Sequence, residues 1–126
     1  MSATDYLEKK IMDHIVGQAP YTPPTTLWMA LHTQDPGDVG SGYEVAGGSY
    51  APQQVQFGAT TSPGGVTANT NTPTFTAMPA GTVTHFSIRD ASGGNPLFVD
   101  ALSPPVNLVA GALLKFDPGT VTLTAS

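Results

Sequence analysis

Residues 82–102 read TVTHFSIRDASGGNPLFVDAL, and this stretch decides the fold. Phe86 and Ile88 alternate with His85, Ser87 and Arg89, the period-2 pattern of a half-buried strand over 82–90. Asp90 to Asn95, DASGGN, supplies the small, flexible and side-chain-bonding residues that reverse a chain tightly. Leu97 to Leu102 then returns as the partner strand, so the stretch is a β-hairpin.

The same punctuation extends outward in both directions. Upstream, Thr26–His32 (TLWMALH) is apolar on both faces, which predicts a central, well-buried strand. Residues 33–52 are dense in Gly, Pro, Asp and Ser and read as a long loop. Gln53–Phe57 alternates Val55 and Phe57 with glutamines, and Pro73–Met78 alternates Phe75 with threonines. Downstream, Val106–Val109, Leu113–Phe116 and Val121–Thr124 complete the set. Short strands separated by turn signals predict a mainly β chain: an antiparallel β-sandwich, jelly-roll-like, in one domain over 1–126. No internal repeat is present.

One helix precedes the strands. Leu7, Ile11 and Ile15 recur at i, i+4 and i+8, which predicts a helix over 3–16. Ser2 or Thr4 can cap its start, Asp5 and Glu8 suit the positive end of its dipole, and Gly17 with Pro20 stops it. Its apolar stripe must be buried on the sheet or on a neighbouring subunit.

Composition narrows the function classes. Charged residues make up 10% of the chain, against roughly 25% in an ordinary soluble domain. The formal net charge is −5, and the four basic residues, Lys9, Lys10, Arg89 and Lys115, form no stripe. That excludes binding to nucleic-acid phosphates, which needs clustered cations. Cysteine is absent, so disulfides and thiolate metal sites are excluded. No apolar run approaches the roughly 20 residues of a membrane helix, and Asp5, Glu8, Lys9 and Lys10 interrupt any signal core. No membrane partner is expected, and the reading is a protein made and assembled in the cytoplasm. From Val45 to Thr84 no charged residue occurs, which fits either a surface that packs against a partner or a polar uncharged loop region.

The candidate chemistry is thin. His32, Asp35, Asp38 and Glu44 form the densest constellation. The run DPGDVGSGYE does not follow the twelve-residue calcium loop, and Asp35-Pro36-Gly37 has good turn chemistry. A turn is the favoured reading, and no metal is expected. His85 with Ser87 and Asp90 lacks a nucleophile elbow, and His14 in the last helical turn suits the dipole; both are read as structural. No glycine-rich segment (37–48, 64–65, 93–94) has the spacing of a phosphate loop, so no cofactor is expected. Trp28 with Tyr21, Tyr43 and Tyr50, flanked by Gln53, Gln54 and Gln56, could form a sugar platform, although packing by Trp28 is favoured. No catalytic residue is assigned.

Five segments in order, TDYLEKKIMDHIVG (4–17), YTPPTTLWMALHTQDPGDVGSG (21–42), EVAGGSYAPQQVQFG (44–58), GTVTHFSIRDASGGNPLFVDAL (81–102) and GALLKFDPGTVTLTAS (111–126), resemble a family of small virion proteins of tailed bacteriophages. Its members are often labelled tail fibre proteins, while some resemble head decoration (cement) proteins of the capsid. Pro52 departs from the resemblance, which implies a basic residue there. The resemblance implies a structural protein without enzymatic turnover. The first expectation is a capsid decoration protein that binds and stabilises the major capsid protein shell on the virion surface and associates with itself as a dimer or trimer. The alternative is a tail-fibre component touching a host receptor or other tail proteins. Contact residues are expected in three regions: Tyr6, Lys10, Asp13 and His14 on the helix; Asp35, Asp38, Tyr43 and Tyr50 on the long loop; and the uncharged stretch from Thr60 to Thr72.

Overall fold

A computed structural model describes residues 2–61 and 65–124. Its elements run β1 (Ser2–Ala3), α1 (Asp5–Ile15), β2 (Leu27–His32), β3 (Gln53–Val55), β4 (Val66–Ala68), β5 (Thr74–Met78), β6 (Gly81–Arg89), β7 (Pro96–Leu108), β8 (Ala112–Lys115) and β9 (Thr122–Thr124). All pairings are antiparallel. The chain is mainly β with one short N-terminal helix, as its periodicities predict. Among the described residues no helix is long and apolar enough to cross a membrane.

The 82–102 hairpin becomes β6 and β7, the centre of a five-stranded sheet ordered β1-β7-β6-β2-β3. Its turn closes as the DASGGN chemistry requires: Asp90 Oδ1 accepts the Asn95 amide at 2.7 Å, and the Asp90 amide donates to the Asn95 carbonyl at 3.1 Å. β5 pairs with β8 and β4 with β9 as two separate two-stranded ladders. The core draws Met29, Leu31, Val55, Val83, Phe86 and Ile88 from the large sheet, and Phe75, Met78 and Leu123 from the two ladders. Full burial of such a side chain contributes roughly 1.5–3 kcal/mol.

Two details differ from the periodicity. The expected strands 97–102 and 106–109 are one strand, β7, running through Ser103-Pro104-Pro105 with a cis Ser103–Pro104 peptide. The ladder tolerates these prolines because Val83 pairs with Val106 and His85 with Ala101, so four residues of β7 bulge opposite Thr84. On its other side β7 meets only β1, at Phe98 and Val99, so the prolines interrupt no ladder there. Second, β1 and β4, of two and three residues, are not marked by periodicity; β1 is held by β7, and β4 by β9 and by a bridge from Thr61 to Val66.

The 33–52 loop is tied down at both ends. Val45 N–H donates to the Leu31 carbonyl and Thr33 N–H to the Tyr43 carbonyl, both at 2.9 Å, which extends the β2 edge. At Gly48, φ is +56° and a Cβ would strike the Ala77 carbonyl, so only glycine fits that close approach. The loop folds back over the second face of the sheet. A Cβ on Gly40 would lie 2.7 Å from Pro96 Cβ and 3.0 Å from Thr4 Cγ2.

α1 begins on this same face. Thr4 Oγ1 caps it by accepting the Leu7 amide at 3.3 Å and donates to the Pro96 carbonyl at 2.6 Å. The Asp5 amide donates to the Asp38 carbonyl at 3.1 Å. Only the first turn is anchored, and Leu7 is the one helical residue that is buried.

Candidate functional site

The second face of the large sheet holds a buried polar network. Register places Trp28 beside Arg89, Ala30 beside Ser87 and His32 beside His85. The Gly42 carbonyl can only accept, so His32 Nδ1 donates to it at 2.7 Å; Nε2 then accepts from the Ser87 hydroxyl at 2.8 Å. Arg89 Nη2 reaches across β2 to Glu44 Oε1 at 3.1 Å. Glu44 Oε2 accepts from Tyr50 Oη at 2.7 Å, and that oxygen accepts the Leu31 amide at 3.0 Å. Burial holds the His32 pKa below the usual imidazole value; the Gly42 hydrogen bond opposes the shift, and the Arg89 charge adds to it. Burial likewise pushes the Tyr50 phenol up, and the hydrogen bond to Glu44 adds to the rise. The network is structural: His32 and Ser87 are fully buried, and a nucleophile there would have no substrate to meet.

The acidic constellation is taken apart. His32 serves Gly42 and Ser87, and Glu44 serves Arg89 and Tyr50. Asp35 Oδ1 accepts the Gly37 amide at 2.9 Å, which makes it a turn residue. Among the described residues no three His, Asp or Glu side chains are arranged to hold a metal ion. The histidine that meets Ser87 is His32, whereas His85 Nδ1 lies 2.8 Å from Thr84 Oγ1. The aromatic platform does not gather around Trp28. Tyr50 stacks on Phe75 at 6.0 Å between ring centroids, and Tyr43 stands exposed on the loop with φ at +57°.

The expected contact residues of the helix are engaged within the chain. Lys10 Nζ sits 5.6 Å from the Tyr6 ring centroid, and Lys9 pairs with Asp13. His14 Nδ1 accepts the Tyr21 amide at 3.0 Å and fixes how the chain leaves the helix. Beside these polar residues α1 also presents an apolar surface. Ile11, Met12, Ile15 and Val16 are 40%, 57%, 70% and 58% exposed. The stripe in the sequence was the signal; the sheet buries its first member, Leu7, and leaves Ile11 and Ile15 in solvent. Asp35 and Asp38, with Gly37, His85, Val99 and Asp100, line a shallow cavity of about 250 Å³. Thr60 and Thr72 are exposed, while 62–64, including the glycine of the 64–65 pair, lie outside the described residues.

A larger groove of about 480 Å³ opens where the start of β2 meets β3, between Pro24–Leu27 and Gln54–Phe57, with Thr70 at its rim. Its lining contains no charged residue.

The family described as "Podophage GP4 fiber I protein gp80" matches residues 2–124. Comparison with the curated proteins finds no match.

Proposed function

The chain belongs to this podophage fibre family, and from that premise we propose that it is a non-enzymatic attachment module of the virion fibre, held to another virion protein through α1. The observation that carries the reading is the helix. Three large apolar side chains in its last two turns, and Val16 at its C-cap, are exposed, while its first turn is tied to β7 and the 33–52 loop by Thr4, Asp5 and Leu7. An apolar patch presented on a rigid base is what a partner surface covers. Repetition on a symmetric particle then lets contacts of modest individual strength act together.

The test is incorporation into particles. Ile11→Asp with Ile15→Asp alters only exposed positions, so the isolated chain should keep its strand signature and melting temperature. Virions assembled with this variant should lack it, while the parent chain is retained. Variant particles that carry the protein at the parental level would refute attachment through α1.

A second reading is decoration of the capsid surface, with the major capsid protein as partner and the chain associating as a dimer or trimer. What favours it is shape: the described residues form layered short strands, and their one helix, at 11 residues, is too short for a coiled-coil shaft. Antibody labelling of intact particles separates the two, since label on the tail supports the fibre module and label over the head supports decoration.

A further inference from the structure

We propose that the groove between the start of β2 and β3 binds a neutral saccharide. The fold leaves a set of hydrogen-bonding groups unused there. Gln54 and Gln56 are exposed, and their side-chain amides have no partner among the described residues; the same holds for the hydroxyls of Thr25 and Thr26 on the opposite wall. Each glutamine amide offers donors and an acceptor together, the pattern that pairs with adjacent sugar hydroxyls. Gln54 lies in β3 and Gln56 just beyond its end, two residues apart, a spacing that in extended chain puts side chains on one face about 6.6 Å apart. Phe57, half-buried, and Pro24 supply apolar wall for the carbon-bearing face of a sugar ring.

The backbone beneath these amides is held firmly. The Asn71 side chain accepts the Gln56 amide at 2.9 Å and donates to the Gln54 carbonyl at 3.0 Å. The Gln56 carbonyl accepts the Thr70 amide at 2.8 Å. Buried Asn69 anchors this support by donating to the carbonyls of Asn71 and Asp117 and accepting the Val121 amide. A binding surface on a fixed strand loses little order when a ligand arrives.

The same contacts exclude a strand-forming peptide. The Gln56 N–H and the Gln54 and Gln56 carbonyls are already satisfied by Asn71 and Thr70, so this edge offers no ladder for an added strand. The charge-free lining offers an anionic group hydrogen bonds but no counter-charge, and the net charge of −5 disfavours acidic glycans. A neutral, hydroxyl-rich ligand remains. Saccharide binding in this groove is independent of attachment through α1, and it is tested on the isolated chain, so failure of either leaves the other standing.

The experiment is an NMR titration of the labelled protein with neutral oligosaccharides built on glucose, galactose, N-acetylglucosamine and rhamnose. Sialyllactose serves as the acidic control and a proline-rich peptide as the competing class. The Gln54 and Gln56 side-chain amide signals should shift with a Kd on the order of 1 mM for at least one neutral sugar. The Gln54→Ala, Gln56→Ala double variant should weaken that binding at least tenfold, with its melting temperature unchanged. The proposal is overturned if those amide signals stay fixed across the neutral panel, if only the peptide or the acidic sugar moves them, or if the double variant binds like the parent.

Discussion

Replacing Glu44 with glutamine keeps the shape of the side chain and an acceptor oxygen but removes the charge facing Arg89. The Arg89 side chain is 7% exposed and that of Glu44 is 29% exposed. Arg89 therefore depends on Glu44 much more than a surface cation would, and its Nε has no partner among the described residues. Leaving a buried charge unpaired costs about 3–5 kcal/mol. Partial access of water to Glu44 brings the expected loss to about 2–3 kcal/mol. At about 4 °C per kcal/mol for a chain of this length, the melting temperature should fall by about 8–12 °C. Urea unfolding of Glu44→Gln, Arg89→Met and the double variant measures both the loss and the coupling. The double variant should lose clearly less than the two single losses combined, because removing both partners leaves no orphaned charge. A Glu44→Gln variant within about 0.5 kcal/mol of the parent, or strictly additive losses, would refute this account of the network.

Ser87→Ala removes the donor to His32 Nε2 inside the fully buried part of the network and should lower stability by about 1–3 kcal/mol, read as a lower urea midpoint at unchanged slope. His32 has its folded pKa below the unfolded value near 6.5, so the unfolded state takes up the proton first on acidification. Its contribution is therefore complete above about pH 6.5 and is lost as pH falls through the folded value. Urea unfolding between about pH 8 and 5 should show this slope, and His32→Gln should flatten it.

Much of the architecture is local and legible in the order of residues. Alternation of side chains across a strand is a two-residue property, so Phe86 and Ile88 can be set against Ser87 and Arg89 from order alone. The DASGGN turn and the Thr4 cap are likewise written in neighbouring residues, and both close as their chemistry requires. Strands β1 and β4 leave no such trace, because they are placed by pairing with β7 and β9, which lie far along the chain. The unmade contact of α1 is also illegible. A stripe of Leu7, Ile11 and Ile15 states that an apolar face exists, but only the docking of the first turn against the sheet decides that Leu7 is covered and the rest is not.

The candidate sites divide in the same way. The order of residues settles their types and spacing: a chain nearly free of charge through its middle, glutamines beside an edge strand, and histidines without a nucleophile motif. Folding in three dimensions chooses the pairings. Ser87 takes His32, 55 positions away, and Arg89 takes Glu44, 45 positions away, in preference to the nearer His85 and Asp90. Strand register sets those choices. A shift of one residue moves every side chain to the opposite face, and which strands lie side by side depends on packing the whole core at once. Proximity along the chain therefore fixes the elements, and proximity in space, decided by that shared core, fixes which side chains are satisfied inside the chain and which remain for a partner.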